Sequence, residues 1–447
     1  MASRRDTLLK FAEHRSPRYT SYPTAPHFHD GVDAQTYAAW LDGLDAAAPV
    51  SLYLHVPYCR TLCWYCGCNT RATTKDGPVA AYLDVLLREI ALIADRLPAR
   101  MMISHLAMGG GTPAILKPEQ IDRLMAAVRA RFDFKPGAEL SIEIDPRHFT
   151  AEDAAGLARN GFTRASTGVQ SFDPAVQAAI NRIQPYDQVA RAFDLLRAAG
   201  VEKINADLLY GLPKQSVKSA RASAEAAAAL GADRLAVFGY AHVPHMKSHQ
   251  NLIKLEDLPG PARRLAQADA MEAALVEDGY RLIGIDHYAR PGDPMTRALD
   301  AGTLRRNFQG YTTDEAETLI ALGASAIGQT PSGYVQNAPD VRTWMQQVQA
   351  GRLPVAKGVA TSPEDVMRRA IIERLMTDFT ADPAAIAKAH GRPAPQVDLG
   401  ELERAGIVTV RGGRVTVNPA CKPLARLAAA AFDAYLATGK AKHSVSV

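Results

Sequence analysis

Short apolar runs alternate with longer amphipathic stretches from about residue 50 to residue 240. In the longer stretches apolar side chains recur every three or four residues, as they do on one face of a helix. The short runs are rich in β-branched residues and read as strands. They are Ser51–Val56, Ile103–Met108, Glu139–Ile144, Arg164–Val169, Lys203–Tyr210 and Arg234–Tyr240. Helices are expected between them, for example over Val79–Leu97, Pro118–Phe132 and Ser216–Leu230.

Six strand–helix units in series predict an α/β fold with a parallel sheet, because each crossover returns the chain to the next strand in the same direction. Polar and glycine-rich positions gather at the carboxyl ends of several strands, where α/β barrels place their sites. We therefore favour a partial (β/α)6 parallel barrel. An open doubly wound sheet is the alternative, since the rhythm alone does not show closure.

The pattern differs on both sides of this barrel. Residues 1–47 are irregular at first and are expected to form an extension that covers the active site, with the barrel at residues 48–350. Residues 351–447 are expected to form a smaller, mostly helical, winged-helix-like domain. Its first helix begins at Ser362-Pro363 and runs to Asp378. Ile407–Val417 reads as a β-hairpin with a Gly-Gly turn.

Composition is ordinary for a globular protein, with 47% hydrophobic and 22% charged residues in 447. The net charge of +4 gives no reason to expect nucleic-acid or membrane binding. The N-terminus has no signal-peptide pattern, and no apolar run reaches membrane-spanning length. We therefore expect a cytoplasmic protein in a reducing compartment, and a monomer.

Four of the five cysteines lie within ten residues, directly after the first predicted strand. Cys59, Cys63 and Cys66 have C-x3-C-x2-C spacing, which allows three thiolates to bind three irons of a 4Fe–4S cluster. The fourth iron then stays open to a small molecule, whereas clusters that only carry electrons generally have four cysteine ligands. Cys68 is interpreted as a neighbour lining the site.

Three other interpretations of the cysteines explain less. A structural zinc site needs a second ligand pair, which Cys421 and scattered histidines do not supply. Disulfide frameworks are typical of small secreted chains. A thioredoxin-like pair would account for Cys63 and Cys66 but leaves Cys59 and Cys68 without a role.

Two further strand ends carry candidate binding residues. The second strand ends in Gly109-Gly110-Gly111-Thr112-Pro113, where glycines allow the backbone to approach a ligand closely. The third ends near Glu143, whose carboxylate is costly inside a barrel unless a cation pairs with it. A ligand ammonium group would meet that need. Parallel strands would bring these residues and the cysteines to one mouth of the barrel.

These motifs together resemble the radical S-adenosylmethionine (SAM) superfamily. Four further features are similar to the oxygen-independent coproporphyrinogen III oxidase family. They are the segment Arg18–Thr24, the position of Cys68 after the three cysteines, Asp286–Pro291 and Arg306–Thr313. The resemblance runs from about Arg18 to Gly328 and is thinner beyond.

The resemblance implies a 4Fe–4S cluster on Cys59, Cys63 and Cys66, and two molecules of SAM. The positions expected to contact the first molecule are Tyr53, Gly110, Glu143 and Ile327. Those expected to contact the second are Tyr65, Gly111, Thr112, Gln170, Arg182, Asp207 and Ala241.

The implied reaction is oxidative decarboxylation of two propionate side chains of coproporphyrinogen III to vinyl groups, giving protoporphyrinogen IX in haem biosynthesis. A 5′-deoxyadenosyl radical made from SAM would start it, and an electron donor would reduce the cluster. The substrate carries four carboxylates, so arginines near the mouth are expected to bind them. The candidates are Arg18, Arg290, Arg305 and Arg306.

Two alternatives remain at this point. A haem chaperone on the same radical SAM fold is the nearer one, although that group resembles the barrel without the Tyr19–Thr24 segment or a cysteine at the Cys68 position. A non-catalytic zinc or DNA-binding module using the C-terminal hairpin is the other.

Overall fold

A computed structural model describes residues 4–436 of the chain, and its centre is a twelve-stranded sheet. Six parallel strands lie side by side in chain order, as predicted. They are β1 (Val50–Val56), β2 (Met102–Gly110), β3 (Asp133–Ile144), β4 (Arg164–Gln170), β5 (Lys203–Tyr210) and β6 (Arg234–Gly239). The third strand begins at Asp133, earlier than expected, because it continues its pairing with β2 past a register shift.

Six shorter strands extend the sheet at both edges. Beside β6 lie β7 (Arg281–Ile283) and β8 (His287–Ala289); beside β1 lie β9 (Thr318–Leu322), β10 (Ile327–Thr330), β11 (Gly333–Asn337) and β12 (Val355–Ala360). Only β9 among them is parallel to its barrel neighbour, β1. The strand order ends at β7 and β12, so the sheet curves without closing and the partial barrel is confirmed.

The helices follow the predicted rhythm. They are α1 (Arg4–Ala12), α2 (Ala34–Asp42), α3 (Asp76–Ala94), α4 (Pro118–Arg131), α5 (Ala151–Arg159), α6 (Pro174–Ala179), α7 (Tyr186–Ala198), α8 (Val217–Ala229), α9 (Pro261–Glu277), α10 (Pro294–Asp300), α11 (Val341–Gln349), α12 (Pro363–Thr377), α13 (Pro383–Ala389), α14 (Gly400–Arg404) and α15 (Ala425–Ala430). Helix α12 begins as expected, with Ser362 as its N-cap and Asp365 completing a capping box.

Side chains of β1 point alternately to the two faces of the sheet, one toward the hydrophobic core and the other toward the cavity inside the barrel. Leu52 and Leu54 are fully buried in the cluster of side chains between sheet and helices. Tyr53 and His55 point the other way and line the cavity inside the barrel. The same strand therefore supplies a packing face and a functional face.

The two ends of the described chain share a second hydrophobic core. Leu8 and Phe11 of α1 pack with Ile371 and Leu375 of α12 and with Phe432. The expectation that the chain starts irregularly is therefore wrong for α1. A three-stranded sheet of Thr380–Ala381, Val408–Arg411 and Arg414–Val417 completes the C-terminal region and contains the predicted hairpin.

The division into residues 1–47, 48–350 and 351–447 stays a prediction, and its two ends, residues 1–3 and 437–447, lie outside the described residues. Across residues 4–436, every helix is too short or too polar to pass through a lipid bilayer.

Candidate active site

The cysteine loop follows β1 and is held by side chains from other strand ends. Asn181 donates from its amide to the carbonyl of Leu62 at 2.9 Å, and Gln250 donates to the carbonyl of Tyr65 at the same distance. These bonds fix the loop backbone at the carboxyl edge of the sheet. The loop is therefore positioned by its neighbours and not only by its own sequence.

Two arginines contact the sulfur of Cys63. The Arg182 guanidinium donates to this sulfur at 3.3 Å, and that of Arg147 donates at 3.6 Å. Asp145 pairs with Arg147 at 2.6 Å and with Arg182 at 3.6 Å. Burial raises the pKa of Asp145, but these cations outweigh it and bring the pKa to about 2. The sulfur thus faces two cations held in place by one carboxylate, as suits a negatively charged thiolate.

Glu143 projects from the end of β3 into the same space. Its carboxylate accepts a hydrogen bond from the backbone N–H of Gly110 at 3.1 Å. Desolvation by the surrounding cavity walls, followed by the nearby Asp207, raises the pKa of Glu143 to about 7. Among residues 4–436 no cationic side chain pairs with it. A bound ammonium group would remove this electrostatic cost.

The backbone at the carboxyl end of β2 requires a glycine at position 110. Its φ of +116° lies where residues with a side chain rarely fit, and a β-carbon there would come within 2.5 Å of the His55 ring. The His55 ring is itself held 3.0 Å from the carbonyl of Asn69. Glycine therefore allows β2 to pass close to the histidine and to turn its N–H toward Glu143.

Two connected cavities lie above these residues. The main cavity, of about 480 Å³, fills the barrel interior and is lined by Tyr53 and Ile327 among others. The cluster cavity, of about 230 Å³, is lined by Cys59, Cys63 and Cys66. Gly110, Glu143, Asp207 and Cys68 line both, so a ligand at the cysteines would reach into the barrel.

Comparison with known proteins identifies the family. The chain matches the radical SAM superfamily over residues 53–227. It is 49% identical to the oxygen-independent coproporphyrinogen III oxidase of Bradyrhizobium diazoefficiens, covering 99% of this chain and 100% of that protein. The chain belongs to the oxygen-independent coproporphyrinogen III oxidase family. A solved structure of coproporphyrinogen III oxidase from Escherichia coli, described as a radical SAM enzyme, superimposes with a TM-score of 0.89 at 36% identity, over 94% of this chain and 98% of that one.

The cofactors of this oxidase family, a 4Fe–4S cluster and SAM, fit the residues present. Three cysteines share one cavity, two guanidinium groups face the sulfur of Cys63, and the buried hydroxyl of Thr112 has no hydrogen-bond partner within residues 4–436. A polar ligand at the cluster would supply that partner. No His, Cys, Asp or Glu side chains of the described part converge on a single metal ion. A cubane does not need such convergence, because each cysteine binds a different iron.

The positions predicted for SAM fall in four places. Tyr53 and Ile327 lie in the main cavity, and Gly110 and Glu143 lie where the two cavities meet. For the second molecule, Tyr65, Gly111, Thr112, Gln170, Arg182 and Asp207 line the cluster cavity. Ala241 lines a different, neighbouring cavity. The structure therefore brings together all of the predicted cofactor residues except Ala241.

The four candidate arginines do not form one group. Arg290 stacks on Tyr280, with 3.8 Å from guanidinium carbon to ring centre, and pairs with Asp278 at the surface. Arg305 pairs with Glu373 of α12. Arg306 stacks on the ring of Tyr311 and donates to the carbonyl of Arg18 at 3.3 Å. Arg18 alone lines one of the larger cavities.

Sequence reasoning missed several residues that shape the site. Asp145 could have been predicted from the sequence, because it lies two positions after Glu143 at the end of the same strand. No local sequence signal identifies the other three residues, because they reach the cysteine loop from loops far along the chain. They are Arg147, Gln250 and Asn181.

Proposed function

We propose that this protein catalyses the anaerobic oxidative decarboxylation of two propionate side chains of coproporphyrinogen III to vinyl groups, giving protoporphyrinogen IX. The observation that carries the proposal is the shared cavity. The cavity at the three cysteines opens into the barrel interior. Glu143 lines both cavities and has no cationic partner among residues 4–436. The names of the relatives support the oxidase and not the haem chaperone.

A cluster and SAM, when bound, supply a 5′-deoxyadenosyl radical. The propionate would give one hydrogen atom from its β-carbon to that radical, its carboxylate would leave as carbon dioxide, and one further electron would pass to an acceptor. The alkyl chain becomes a vinyl group, and atoms and electrons balance for each round. Two rounds produce the two vinyl groups, and the other two propionates remain in the product.

The side chains of this protein bind and orient the reactants. Cys59, Cys63 and Cys66 would hold the cluster, with Arg182 and Arg147 stabilising the charge on the Cys63 sulfur. Glu143 would accept the ammonium group of the first SAM molecule. The proposal includes a second SAM molecule in the cluster cavity. The Thr112 hydroxyl, which has no hydrogen-bond partner in the described part of the chain, offers it a contact.

The C-terminal region supports a hairpin that would cover the barrel mouth. The hairpin of Arg305–Asn307 and Gly310–Thr312 lines the main cavity and is attached to α12. Glu373 accepts from Arg305 at 3.1 Å, and Tyr311 donates to the carbonyl of Met376 at 2.8 Å. Such a cover would keep water and oxygen away from a reactive radical.

The proposal also covers the electron donor, the cellular compartment and the oligomeric state. An electron donor would reduce the cluster, the enzyme would act in the cytoplasm, and it would act as a monomer without nucleic acid or membrane partners. Sedimentation of the reconstituted protein measures the oligomeric state directly.

Anaerobic reconstitution tests the proposed reaction. The protein is loaded with iron and sulfide, then mixed with dithionite, SAM and coproporphyrinogen III. We expect 5′-deoxyadenosine and vinyl-bearing product in the same reaction. Haem binding without porphyrinogen turnover would instead identify a chaperone, and zinc without acid-labile sulfide would identify a non-catalytic metal site.

A further inference from the structure

A third cavity, separate from the cluster, is lined by four arginines. This basic cavity has a volume of about 350 Å³ and contains Arg15, Arg18, Arg264 and Arg426. It lies between the end of β6, helix α9 and the two ends of the described chain. The ring of Phe238 lines both the basic cavity and the main cavity, so the two are separated by one side chain.

Arg264 reaches the basic cavity through a space that two glycines leave free. Its guanidinium donates to the carbonyl of Tyr240 at 3.0 Å and lies 5.5 Å from the ring centre of Tyr210. A β-carbon at Gly239 would come within 2.9 Å of the guanidinium, and one at Gly211 would collide with it. The backbone is therefore shaped around this cation, although no carboxylate of residues 4–436 pairs with it.

Arg18 is held on the other side of the basic cavity. Its guanidinium lies over the ring of Phe238, 5.9 Å from the centre, and it also forms no ion pair with the described residues. Arg426 is buried and donates to the carbonyls of Ser16 and Pro17, which fixes the backbone just before Arg18. Arg426 is thus a positioning residue for Arg18.

The carboxylates of this cavity have other partners, although Asp286 also interacts electrostatically with Arg18 and Arg426. Asp269 pairs with Arg4 at 3.1 Å, Asp286 pairs with His287 at 2.7 Å, and Glu272 accepts from Tyr288 at 3.5 Å. Burial and then the proximity of Arg18 lower the pKa of Arg264. Burial, Arg18 and Arg306 lower the pKa of Arg426 to about 10. The cations therefore repel one another, and Arg18 and Arg264 form no ion pair with any carboxylate of residues 4–436.

We propose that the basic cavity binds a propionate carboxylate of the tetrapyrrole substrate, with Arg18 and Arg264 as its partners. This inference rests on the proposed function and adds a binding site outside the cluster and main cavities. The carboxylate bound there is one that the reaction leaves in place. Arginine stabilises a carboxylate as the anion, which suits a group that stays and would oppose its loss as carbon dioxide.

A second source of carboxylate has the same chemistry. Ala241, predicted to contact a second SAM molecule, also lines the basic cavity, and SAM carries an α-carboxylate. The experiment must therefore measure porphyrin binding and SAM binding separately. The porphyrin probe is coproporphyrin III, the stable oxidised form with four carboxylates.

The test uses Arg264→Gln and Arg18→Gln in the cluster-loaded protein. Each is expected to weaken coproporphyrin III binding, measured by fluorescence anisotropy, by about 10- to 100-fold. The KM for coproporphyrinogen III should rise by a similar factor. Cluster absorbance and the amount of SAM bound at saturation should stay as in the parent protein. Arg263→Gln is the matched control, because Arg263 is the exposed neighbour of Arg264 on α9.

A second variant keeps the arginine but displaces it. Gly239→Ala would place a methyl group 2.9 Å from both the Arg264 guanidinium and the Tyr210 hydroxyl, so it should displace Arg264 from the Tyr210 ring and weaken porphyrin binding in the same direction. This variant remains informative if Arg264→Gln does not load its cluster. The inference would be overturned if the variants that incorporate the cluster bind coproporphyrin III with an affinity within about twofold of that of the parent protein. Loss of SAM binding with unchanged porphyrin affinity would overturn it as well. A parent protein without turnover or porphyrin binding would instead remove the proposed function itself.

Discussion

Cys66 and Cys68 share a hydrogen bond and line the same cavity, but Cys68 is the more exposed of the two. The bond from Cys68, more than any other interaction, lowers the pKa of Cys66 to about 6, although burial raises it. Cys68 is exposed, and its carbonyl accepts from Lys247 at 2.9 Å. These contacts are consistent with Cys68 supporting the loop while Cys66 binds iron.

This difference predicts opposite results for two serine variants. Cys66→Ser should lose most of the reconstituted cluster, because one iron loses its protein ligand. Cys68→Ser should keep about the same iron and acid-labile sulfide as the parent protein. Iron analysis, sulfide analysis and the absorbance of the cluster measure the cluster content of both variants. Equal loss in the two variants would make Cys68 a ligand.

Glu143 allows a second prediction at the residue scale. Glu143→Gln removes the negative charge that would pair with the ligand ammonium, so SAM affinity should fall by about 10- to 100-fold. Isothermal titration calorimetry of the cluster-loaded protein measures the SAM affinity. The iron content of the variant should equal that of the parent protein. Glu152→Gln on the exposed face of α5 is the matched control. Unchanged affinity in Glu143→Gln would exclude an ion pair with the cofactor.

At the scale of elements, α3 is attached to the sheet by one buried carboxylate. Glu89 accepts from the backbone N–H of Gly323 at 2.7 Å, from Asn337 at 2.7 Å and from the Trp344 indole at 3.1 Å. These partners come from the loop after β9, from β11 and from α11. One side chain thus connects four elements on the edge of the barrel next to β1.

Truncation of this side chain should therefore be costly. Glu89→Ala leaves three buried donors without an acceptor and should lower the free energy of unfolding by about 2–5 kcal/mol. Chemical denaturation of the parent and variant proteins measures the difference. Arg88→Ala, at the exposed neighbouring position, should change it by less than about 0.5 kcal/mol. A small effect at Glu89 would show that other donors and acceptors rearrange around it.

At the scale of the whole molecule, the start of the chain stabilises its end. Helix α1 places Leu8 and Phe11 in a core with α12 and Phe432, far from α1 in sequence. Arg426 holds the carbonyls of Ser16 and Pro17 beside the same core. The basic cavity is therefore assembled only when both ends are packed on the barrel.

A core substitution in α1 tests this connection. Leu8 is fully buried, so Leu8→Ala should lower the free energy of unfolding of the C-terminal region by about 2–5 kcal/mol. Faster proteolysis after residue 351, followed by mass spectrometry, would report the effect there. Lys10→Ala, exposed on the same helix, serves as the control. Destabilisation confined to residues near α1 would contradict a shared core.

Local patterns in the sequence were sufficient to predict the six central strands and to propose the cluster ligands. The alternation of apolar runs and amphipathic stretches determines six parallel strands, since each strand and helix carries its own period. The spacing of Cys59, Cys63 and Cys66 lies within one loop and needs no distant contact to be recognised. The weaker signals were the short strands β7 to β12 and helix α1, whose few residues give little periodicity.

Only the tertiary structure decided which cations face which anions. Arg182 and Arg147 reach the sulfur of Cys63 from positions more than 80 residues away. Arg264 and Arg18 meet across the basic cavity because α9 and the N-terminal segment pack on the end of β6. Such pairs depend on strand order and on the packing of distant segments, and no local periodicity encodes them. The sequence therefore determined the chemistry of the cysteine loop, whereas the fold decided which arginines meet at the basic cavity.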